Sequence, residues 1–520
     1  MKKLTFNLLT DPWIKVELVD GTYRRLGIAA SIDRSNEIRR LVPTDPATSI
    51  GLHRLLLAVV HDQLELETDE EWFELWDCGR LQIDLSAIAG RFDLFDETYP
   101  FFQTNDPGDD RTSVAYLVPQ LPKAERNAIN THVFEDQHAL CPSCCAYQLA
   151  ALPATAFAGG STTAEGHVKV EKKASKETAQ AGDVSPMSRT SRPGRFGYKA
   201  GINGTNALYV ILQGENLFQT LMWNYALPPA RPPQADHDSK RAAWAGDGKV
   251  RKAVAISRIG YARSLTLLPR RVHLFAGQSG VCSLCGERAD VLVREIFYKP
   301  GEHRPDGIDW QDPMLAYEAR PEGLRPVVAH GNRPLWTDLA RLALPLSGIL
   351  PAAILTQSYR LVRETGKAPR PQVSYLMTDK DKPLEWSTST IPYTRRIASD
   401  EILREVVRAG LETAENAAFE LGAAVKRVVG HRPELGLFWA PLARHASEFV
   451  HSLEQGSNPH EARESWHKAI RSLALYAFQA LGESHAGDGE GMANFVKARI
   501  HLRKTLNKLL VDGTAEVAAT

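Results

Sequence analysis

Two pairs of cysteines carry the clearest chemistry in the sequence. Cys141-Pro142-Ser143-Cys144 and Cys282-Ser283-Leu284-Cys285 each have C-x2-C spacing, and 137 residues separate them. A C-x2-C turn lets two thiolates face one ion at ~2.3 Å, and two such turns complete a closed, tetrahedral zinc site. A closed site has no open coordination position, so zinc held by Cys141, Cys144, Cys282 and Cys285 is expected to hold structure and do no chemistry. A redox C-x-x-C usually occurs singly, near a βαβ pattern. Cys145, beside the first pair, becomes a nucleophile only if a base is placed next to it.

Other reactive combinations are sparse. His61-Asp62 has the form of the metal-binding dyad of phosphohydrolases, but that chemistry needs further His and Asp ligands, and no matching set stands elsewhere in the chain. The ordinary reading of His61-Asp62 is a polar pair near a helix end. There is no G-x4-G-K-[ST], no G-x-G-x-x-G opening a helix after a strand, no H-E-x-x-H and no G-x-S-x-G. The breadth of these absences favours a binding subunit over an enzyme.

The elements that must position the cysteines follow from patterning. Residues 4–26 read as strands, with Asp20-Gly21 as a hairpin turn. Leu52 to Leu66 has the wide apolar face of a buried helix, and Glu70 to Cys78 is amphipathic. Tyr99-Pro100-Phe101-Phe102-Gln103 is expected to be an extended aromatic core segment. A loop over Asn127–Leu140 leads into the first cysteine pair, and Tyr147–Leu152 reads as a short helix stopped by Pro153. Glu165–Lys199 has eight basic and four acidic residues and little apolar content, the composition of a loop suited to a polyanion. Ala207–Leu212 reads as a buried strand, as does Leu267–Leu274 before the second pair; Leu335–Tyr359 looks helical with breaks near Pro345 and Pro351, and Lys367–Pro371 looks like a basic loop.

From Ser399, the expected N-cap, the pattern turns helical throughout. Ile402–Val428, Leu435–Leu453, Pro459–Leu481 and Gly491–Leu510 make four helices with short loops, an up-down bundle whose last helix has a basic face. The fold class is therefore α+β: a mixed α/β region over residues 1–395 stapled by the four-cysteine zinc site, and a four-helix bundle over 396–520. A chain of 520 residues exceeds what one core supports, which agrees with two domains. Lys plus Arg equals Asp plus Glu, so a nucleic-acid partner must be held by local patches. No run of apolar residues is long enough to span a bilayer, and the start of the chain lacks the apolar stretch of a signal peptide. Thiolate zinc chemistry fits a reducing, cytoplasmic setting.

Asn7-Leu8-Leu9-Thr10-Asp11-Pro12-Trp13-Ile14 resembles the opening of the large subunit of type I-E CRISPR Cascade, the CasA family. Tyr99–Thr104, Pro269-Arg270-Arg271, both cysteine pairs and the C-terminal bundle follow in the family's order. The resemblance implies a subunit of an RNA-guided surveillance complex with other Cascade subunits and guide RNA as partners. It implies that the protein reads the protospacer-adjacent motif (PAM) in double-stranded DNA, helps open the duplex, recruits a helicase-nuclease and is not itself a nuclease. Base pairing with the guide supplies most of the sequence discrimination. By the same resemblance Asn130 binds DNA before the first knuckle, Gly159-Gly160 forms a glycine loop facing the minor groove, and Gln372 is a wedge beside the motif. The basic finger after the second knuckle is best matched by Arg294, with Lys299 as the alternative. Lys169, Lys172, Lys173 and Lys176 of the basic loop stand where they can track DNA backbone. Two other functions fit the sequence less well: a metal-dependent nuclease or phosphohydrolase using His61 and Asp62, and a zinc-stabilised scaffold that binds only protein.

Overall fold

The computed structural model describes residues 4–118, 121, 138–156, 159–163, 195–198, 206–231, 241–250, 259–302, 311–321, 323–329, 335–338, 342, 348–379, 382–390 and 395–512. Asn130, Lys169, Lys172, Lys173 and Lys176 lie outside the described residues. The strands, in chain order, are β1 (Ile14–Leu18), β2 (Tyr23–Leu26), β3 (Ile38–Leu41), β4 (Thr112–Ser113), β5 (Gly159–Thr163), β6 (Arg195–Tyr198), β7 (Tyr209–Gln213), β8 (Arg270–Ala276), β9 (Gly280–Val281), β10 (Arg288–Ala289), β11 (Val293–Pro300), β12 (Tyr317–Arg320), β13 (Gly323–Pro326), β14 (Ile349–Leu350), β15 (Arg370–Asp379) and β16 (Lys382–Thr390). They form small antiparallel sheets ordered β2-β1-β3, β4-β11-β8, β13-β12-β14 and β16-β15-β7, with two-stranded ribbons β9-β10 and β5-β6.

The helix Pro46–Gln63 runs through the middle of this mixed region. Every residue from Ala47 to His61 is buried, the all-round burial expected of a central helix. Asp45 and Thr48 close its N-terminus in a reciprocal capping box, and Pro46 takes the first helical position, where no N–H is needed. It crosses the helix Pro142–Thr155 at Gly51, where a Cβ would stand 2.6 Å from the Ala150 carbonyl oxygen. Only glycine allows that approach. Arg54 is buried on the same helix. It forms an ion pair with Asp312 and lies 5.5 Å from the Tyr209 ring centroid.

The bundle consists of Glu401–Val429, Gly436–Glu454, Pro459–Gly482 and Gly489–Asp512. Its interior is apolar, including Leu411, Leu421, Phe438, Trp466, Phe478, Leu502 and Leu506, while Lys497, Arg499, Arg503, Lys504 and Lys508 of the last helix are exposed as the pattern predicts. Buried apolar residues of the bundle and of the mixed region belong to one continuous cluster. Trp336 joins them, with ring centroids 5.9 Å from Trp439 and 6.3 Å from Trp466.

Several expectations change in detail. The helix expected over Tyr147–Leu152 starts at Pro142 and continues through Pro153 to Thr155, because a proline in a last turn forfeits only one backbone bond. Asp400, not Ser399, caps the first bundle helix, its carboxylate accepting from the Ile402 and Leu403 amides; Ser399 ends the short preceding helix Arg395–Ser399. Tyr99–Gln103 is a turn rather than an extended segment: Phe102 has φ +53°, and Phe101 and Phe102 stack at 4.1 Å. Within Leu335–Tyr359 the described residues form a 3-10 turn at Leu335–Asp338, the strand β14 and the start of the helix Ala353–Thr365. The loop expected at Lys367–Pro371 gives way to β15 at Arg370, and Pro371 pairs opposite Leu212.

Candidate nucleic-acid interface and four-cysteine site

The two cysteine pairs meet. Cys141 is the N-cap residue of the helix Pro142–Thr155, so Cys144 lies in the first turn of that helix. Cys282 and Cys285 occupy the tight turn between β9 and β10, where Gly286 adopts φ +74° and donates its N–H to the Cys282 carbonyl. Backbone bonds splice the two segments: Ser283 N–H donates to Ala139 O at 2.7 Å, Ala139 N–H to Ser283 Oγ at 2.9 Å, and Leu140 bridges Val293. The four Sγ atoms lie within 4.8 Å of one another, and Cys141 and Cys285 Sγ are 3.8 Å apart. Tetrahedral zinc with Zn–S of ~2.3 Å requires sulfur–sulfur edges of ~3.8 Å. The donor set and its spacing fit a structural metal.

Close approach sets the thiols against one another. Hydrogen bonds from the Cys141 and Cys144 thiols hold the Cys282 thiol far below its usual range, and the Cys282 sulfur also accepts the Cys141 N–H at 3.3 Å. The Cys144 thiol is displaced upward, first by its hydrogen bond with Cys141 and then by that with Cys282. Cys145 stands apart: complete burial pushes its thiol well above the usual range, so it is a core residue rather than a nucleophile.

The described candidate DNA-reading residues lie on the elements that follow the two cysteine pairs. The β5–β6 ribbon follows the helix that begins at the first pair, with only residues 156–158 between them. Gly159 pairs with Tyr198 and Ser161 with Gly197, which leaves Gly160 in a bulge. A bulge bends the strand, and a residue without Cβ there lets another backbone come close. β6 runs beside β11, the strand that leaves the second knuckle. Arg294 is exposed at a register shift in β11, directly after the Val293 that bridges Leu140. Lys299, six residues from Val293 on the same strand, is tied to Asp110 at 2.6 Å. The geometry thus leaves Arg294 exposed on the strand that the ribbon contacts, while Lys299 is engaged.

Gln372 is held differently from the loop expected at this position. It lies half-buried in the middle strand β15, paired with Ile211 on β7 and Thr390 on β16. β7 covers only Arg370–Ser374, so the far half of the β15–β16 hairpin extends as two strands alone. This sheet abuts the cysteine-bearing helix, because Tyr209 of β7 donates its hydroxyl to Ala154 O at 3.2 Å.

His61 and Asp62 are committed elsewhere. The His61 ring stacks on Tyr225 at 3.7 Å and meets Tyr261 edge-on at 4.7 Å, and its Nε2 accepts the Ala226 N–H. Burial holds its pKa well below the ordinary value. Asp62 Oδ2 accepts from Trp244 Nε1 at 3.1 Å and from Gln63. The dyad is built into core packing, and the one His/Cys/Asp/Glu group spaced for a metal among the described residues is the four-cysteine knot. The ion pair from Arg25 on β2 to Glu287 in the second knuckle, at 2.5 Å, escaped sequence reading because nothing local marks a partner 262 residues away. No described helix is long and apolar enough to cross a membrane.

Comparison with known proteins agrees with this architecture. Residues 7–477 match the family model of CRISPR-associated protein Cse1. The CRISPR-associated protein CasA/Cse1 of Thermus thermophilus is 25% identical over 535 residues, spanning 91% of this chain and 92% of that protein. The structure of Thermobifida fusca Cse1 aligns with a TM-score of 0.75 at 21% identity, covering 98% of this chain and 99% of the other. A chain of a CRISPR RNA-guided surveillance complex aligns with a TM-score of 0.67 at 17% identity, covering 96% and 99%. Both solved structures share the fold described above.

Proposed function

The chain belongs to the CRISPR-associated Cse1 family, the large subunit of type I-E Cascade, and from that premise we propose that it is the non-catalytic DNA-recognition subunit of an RNA-guided surveillance complex. In this reading it captures the protospacer-adjacent motif in duplex DNA, promotes opening for guide pairing and helps recruit a helicase-nuclease. Zinc held by Cys141, Cys144, Cys282 and Cys285 supplies no step; it fixes the helix that delivers Gly159-Gly160 and the strand that carries Arg294. The observation that carries the proposal is the bulged Gly160 in a ribbon beside β11, the strand on which Arg294 is exposed.

The chemistry of the minor groove explains that composition. A·T pairs show only acceptors there and G·C adds the guanine amine, so a reader needs close backbone and few side chains. Asn130 contributes an amide that can donate and accept. Gln372 acts from a rigid strand, where its amide can engage base edges exposed as the first step unstacks, a cost of a few kcal/mol. Lys169, Lys172, Lys173 and Lys176 add sequence-independent phosphate contacts.

The test is reconstitution of the guide complex with Gly160→Leu, Gln372→Ala and Asn130→Ala, followed by binding to duplex, pre-opened bubble and single-stranded targets. Gly160→Leu is expected to lose capture of duplex while binding of complementary single strand survives. Gln372→Ala is expected to bind bubble as wild type does and duplex less well, and Asn130→Ala to fall between the two. Equal loss of single-stranded binding in Gly160→Leu would remove the glycine ribbon from the reader.

A further inference from the structure

We propose that the outer face of the N-terminal sheet β2-β1-β3 is a binding surface for a short single strand of DNA, with Tyr23 as a stacking platform and Lys15, Arg25, Arg39 and Arg40 as its phosphate contacts.

Strand register defines this face. Ile14 and Val16 of β1 point into the core with no exposure, so Lys15 and Glu17 point outward. Opposite residues of antiparallel strands share a face. Lys15 pairs with Arg25, and Glu17 pairs with Tyr23 on one side and Arg40 on the other, which places all five outward. The register shift after Glu17 adds Arg39. Four cations and one carboxylate of these three short strands therefore share the outward face.

The carboxylate does not cancel the cations at the surface. The Glu17 side chain is only 9% exposed, while Arg40 above it is 62% and Arg39 53% exposed. Arg40 Nε donates to Glu17 Oε2 at 2.8 Å, and Arg39 Nη1 is 3.6 Å from Oε1. A buried carboxylate that holds two guanidinium groups from beneath fixes their position; Arg39 Nη2 also donates to Val19 O at 2.9 Å, and Arg40, 62% exposed, turns most of its donors to solvent. Planar, preset guanidinium donors suit phosphate oxygens. On the other flank the exposed carboxylate of Glu287 accepts from both terminal nitrogens of Arg25, which fixes the guanidinium but takes part of its donor capacity.

Tyr23 makes single-stranded nucleic acid the better fit than duplex or an acidic peptide. It is 56% exposed at the edge of the sheet, with the Lys15 ammonium 5.6 Å from its ring centroid and Arg40 within reach of its hydroxyl. An exposed aromatic ring framed by cations is how single strands are held without sequence preference: a base stacks on the ring and the backbone runs over the charges. Strands ~5 Å apart, with same-face residues ~7 Å apart along each, spread the charges over a few nucleotides. The inference rests on the proposed role in duplex opening, which produces such a strand. The sheet is also anchored to the cysteine knot, through Arg25–Glu287 and through the Lys15 N–H donated to Tyr147 of the cysteine-bearing helix at 2.8 Å.

The test uses the full chain and fluorescence anisotropy with labelled dT12 at 50 mM salt, with U12 and a 12-base-pair duplex as comparison probes. Tyr23→Ala is expected to weaken dT12 binding about tenfold and leave duplex binding unchanged. Arg39→Gln combined with Arg40→Gln is expected to make the salt dependence of dT12 binding shallower by ~0.7 per lost phosphate contact. Thermal melting at wild-type temperature shows that each variant is folded, and an unfolded Tyr23→Ala is replaced by Tyr23→Thr, which removes the ring but keeps strand propensity and is expected to weaken dT12 binding likewise; Tyr23→Phe, which keeps the ring, is the control expected to bind as wild type. The proposal is overturned if dT12 does not bind, if Tyr23→Ala and the double Gln variant bind it as wild type does, or if U12 binds at least tenfold tighter. Gly160→Leu, which tests the motif reader, is expected to leave dT12 binding intact. Failure of the reader and failure of this surface are thereby told apart.

Discussion

Cys282 is the residue on which both segments of the cysteine knot converge: its sulfur faces Cys141 and Cys144 and accepts a backbone N–H as well. Cys282→Ser is expected to abolish stoichiometric zinc, one per chain in the parent by elemental analysis, and to lower the melting temperature, because metal affinity at a structural site is folding free energy. Retained zinc at one per chain in that variant would place the metal elsewhere. His61 makes a second prediction. Its folded pKa is depressed by burial, so it is neutral in the folded chain over a range where the unfolded chain, titrating near ~6.5, takes up a proton. Stability is therefore highest above pH ~6.5 and falls as pH drops toward the depressed folded value, by at most ~1.4 kcal/mol per pH unit for this one group. Urea midpoints between pH 7.5 and 5.5 check the sign, and His61→Phe is expected to flatten the slope. At this scale the sequence was most legible where chemistry is local. The C-x2-C turns declare themselves, whereas Arg54–Asp312 and Arg25–Glu287 join residues more than 250 positions apart.

Among the elements, the crossing of Pro46–Gln63 with Pro142–Thr155 fixes where the cysteine-bearing helix can lie. A Cβ at Gly51 would meet Ala150 O and Ala151 Cα and N at 2.6–2.7 Å, all of them backbone atoms that cannot rotate away. Gly51→Val is expected to cost ~1–3 kcal/mol, the usual range for overpacking, read as a lower urea midpoint with an unchanged slope. It is also expected to weaken zinc retention, since the displaced helix carries Cys141 and Cys144. Gly51 drew no attention in the sequence because a lone glycine in an apolar helical run signals nothing until its neighbour is known. The bundle helices were legible almost to their ends because a 3.6-residue period is written locally. Arg370–Asp379 was not: Pro371 and its basic neighbours have loop composition, and only pairing with β7 and β16 makes the segment a strand.

For the whole molecule, the relation between the bundle and the remainder is decided by Trp336. The indole is 8% exposed and sits against Trp439 and Trp466, on the second and third bundle helices. Arg404 over Tyr359 at 4.4 Å supplements it. We propose residues 396–520 as a unit of their own, coupled to the rest through this seam. Trp336→Ala is expected to cost ~3–5 kcal/mol of that coupling, the usual range for truncating a buried aromatic residue. By calorimetry the parent is expected to melt in one transition and the variant in two. A single, merely shifted transition would make the bundle part of one cooperative body. Composition and length pointed to two cores, and patterning located the bundle, but a seam made by one tryptophan from a region of irregular structure has no periodicity to reveal it.

The cysteine knot also has a consequence in time. A ribosome releases Cys144 and must add 137 further residues before Cys282 appears, an interval on the order of 10 s at typical elongation rates. Throughout that interval the first pair can offer only half a coordination sphere, and any ion it meets is weakly held and exchangeable. With the proposed zinc, tight metal capture therefore becomes available only when the chain through Cys285 has been made and the splice between Ala139–Leu140 and Ser283–Val293 has closed. A nascent chain stalled before that point carries unliganded thiols and is the form most open to oxidation. Metal retention would thus separate chains that have passed Cys285 from those cut short before it.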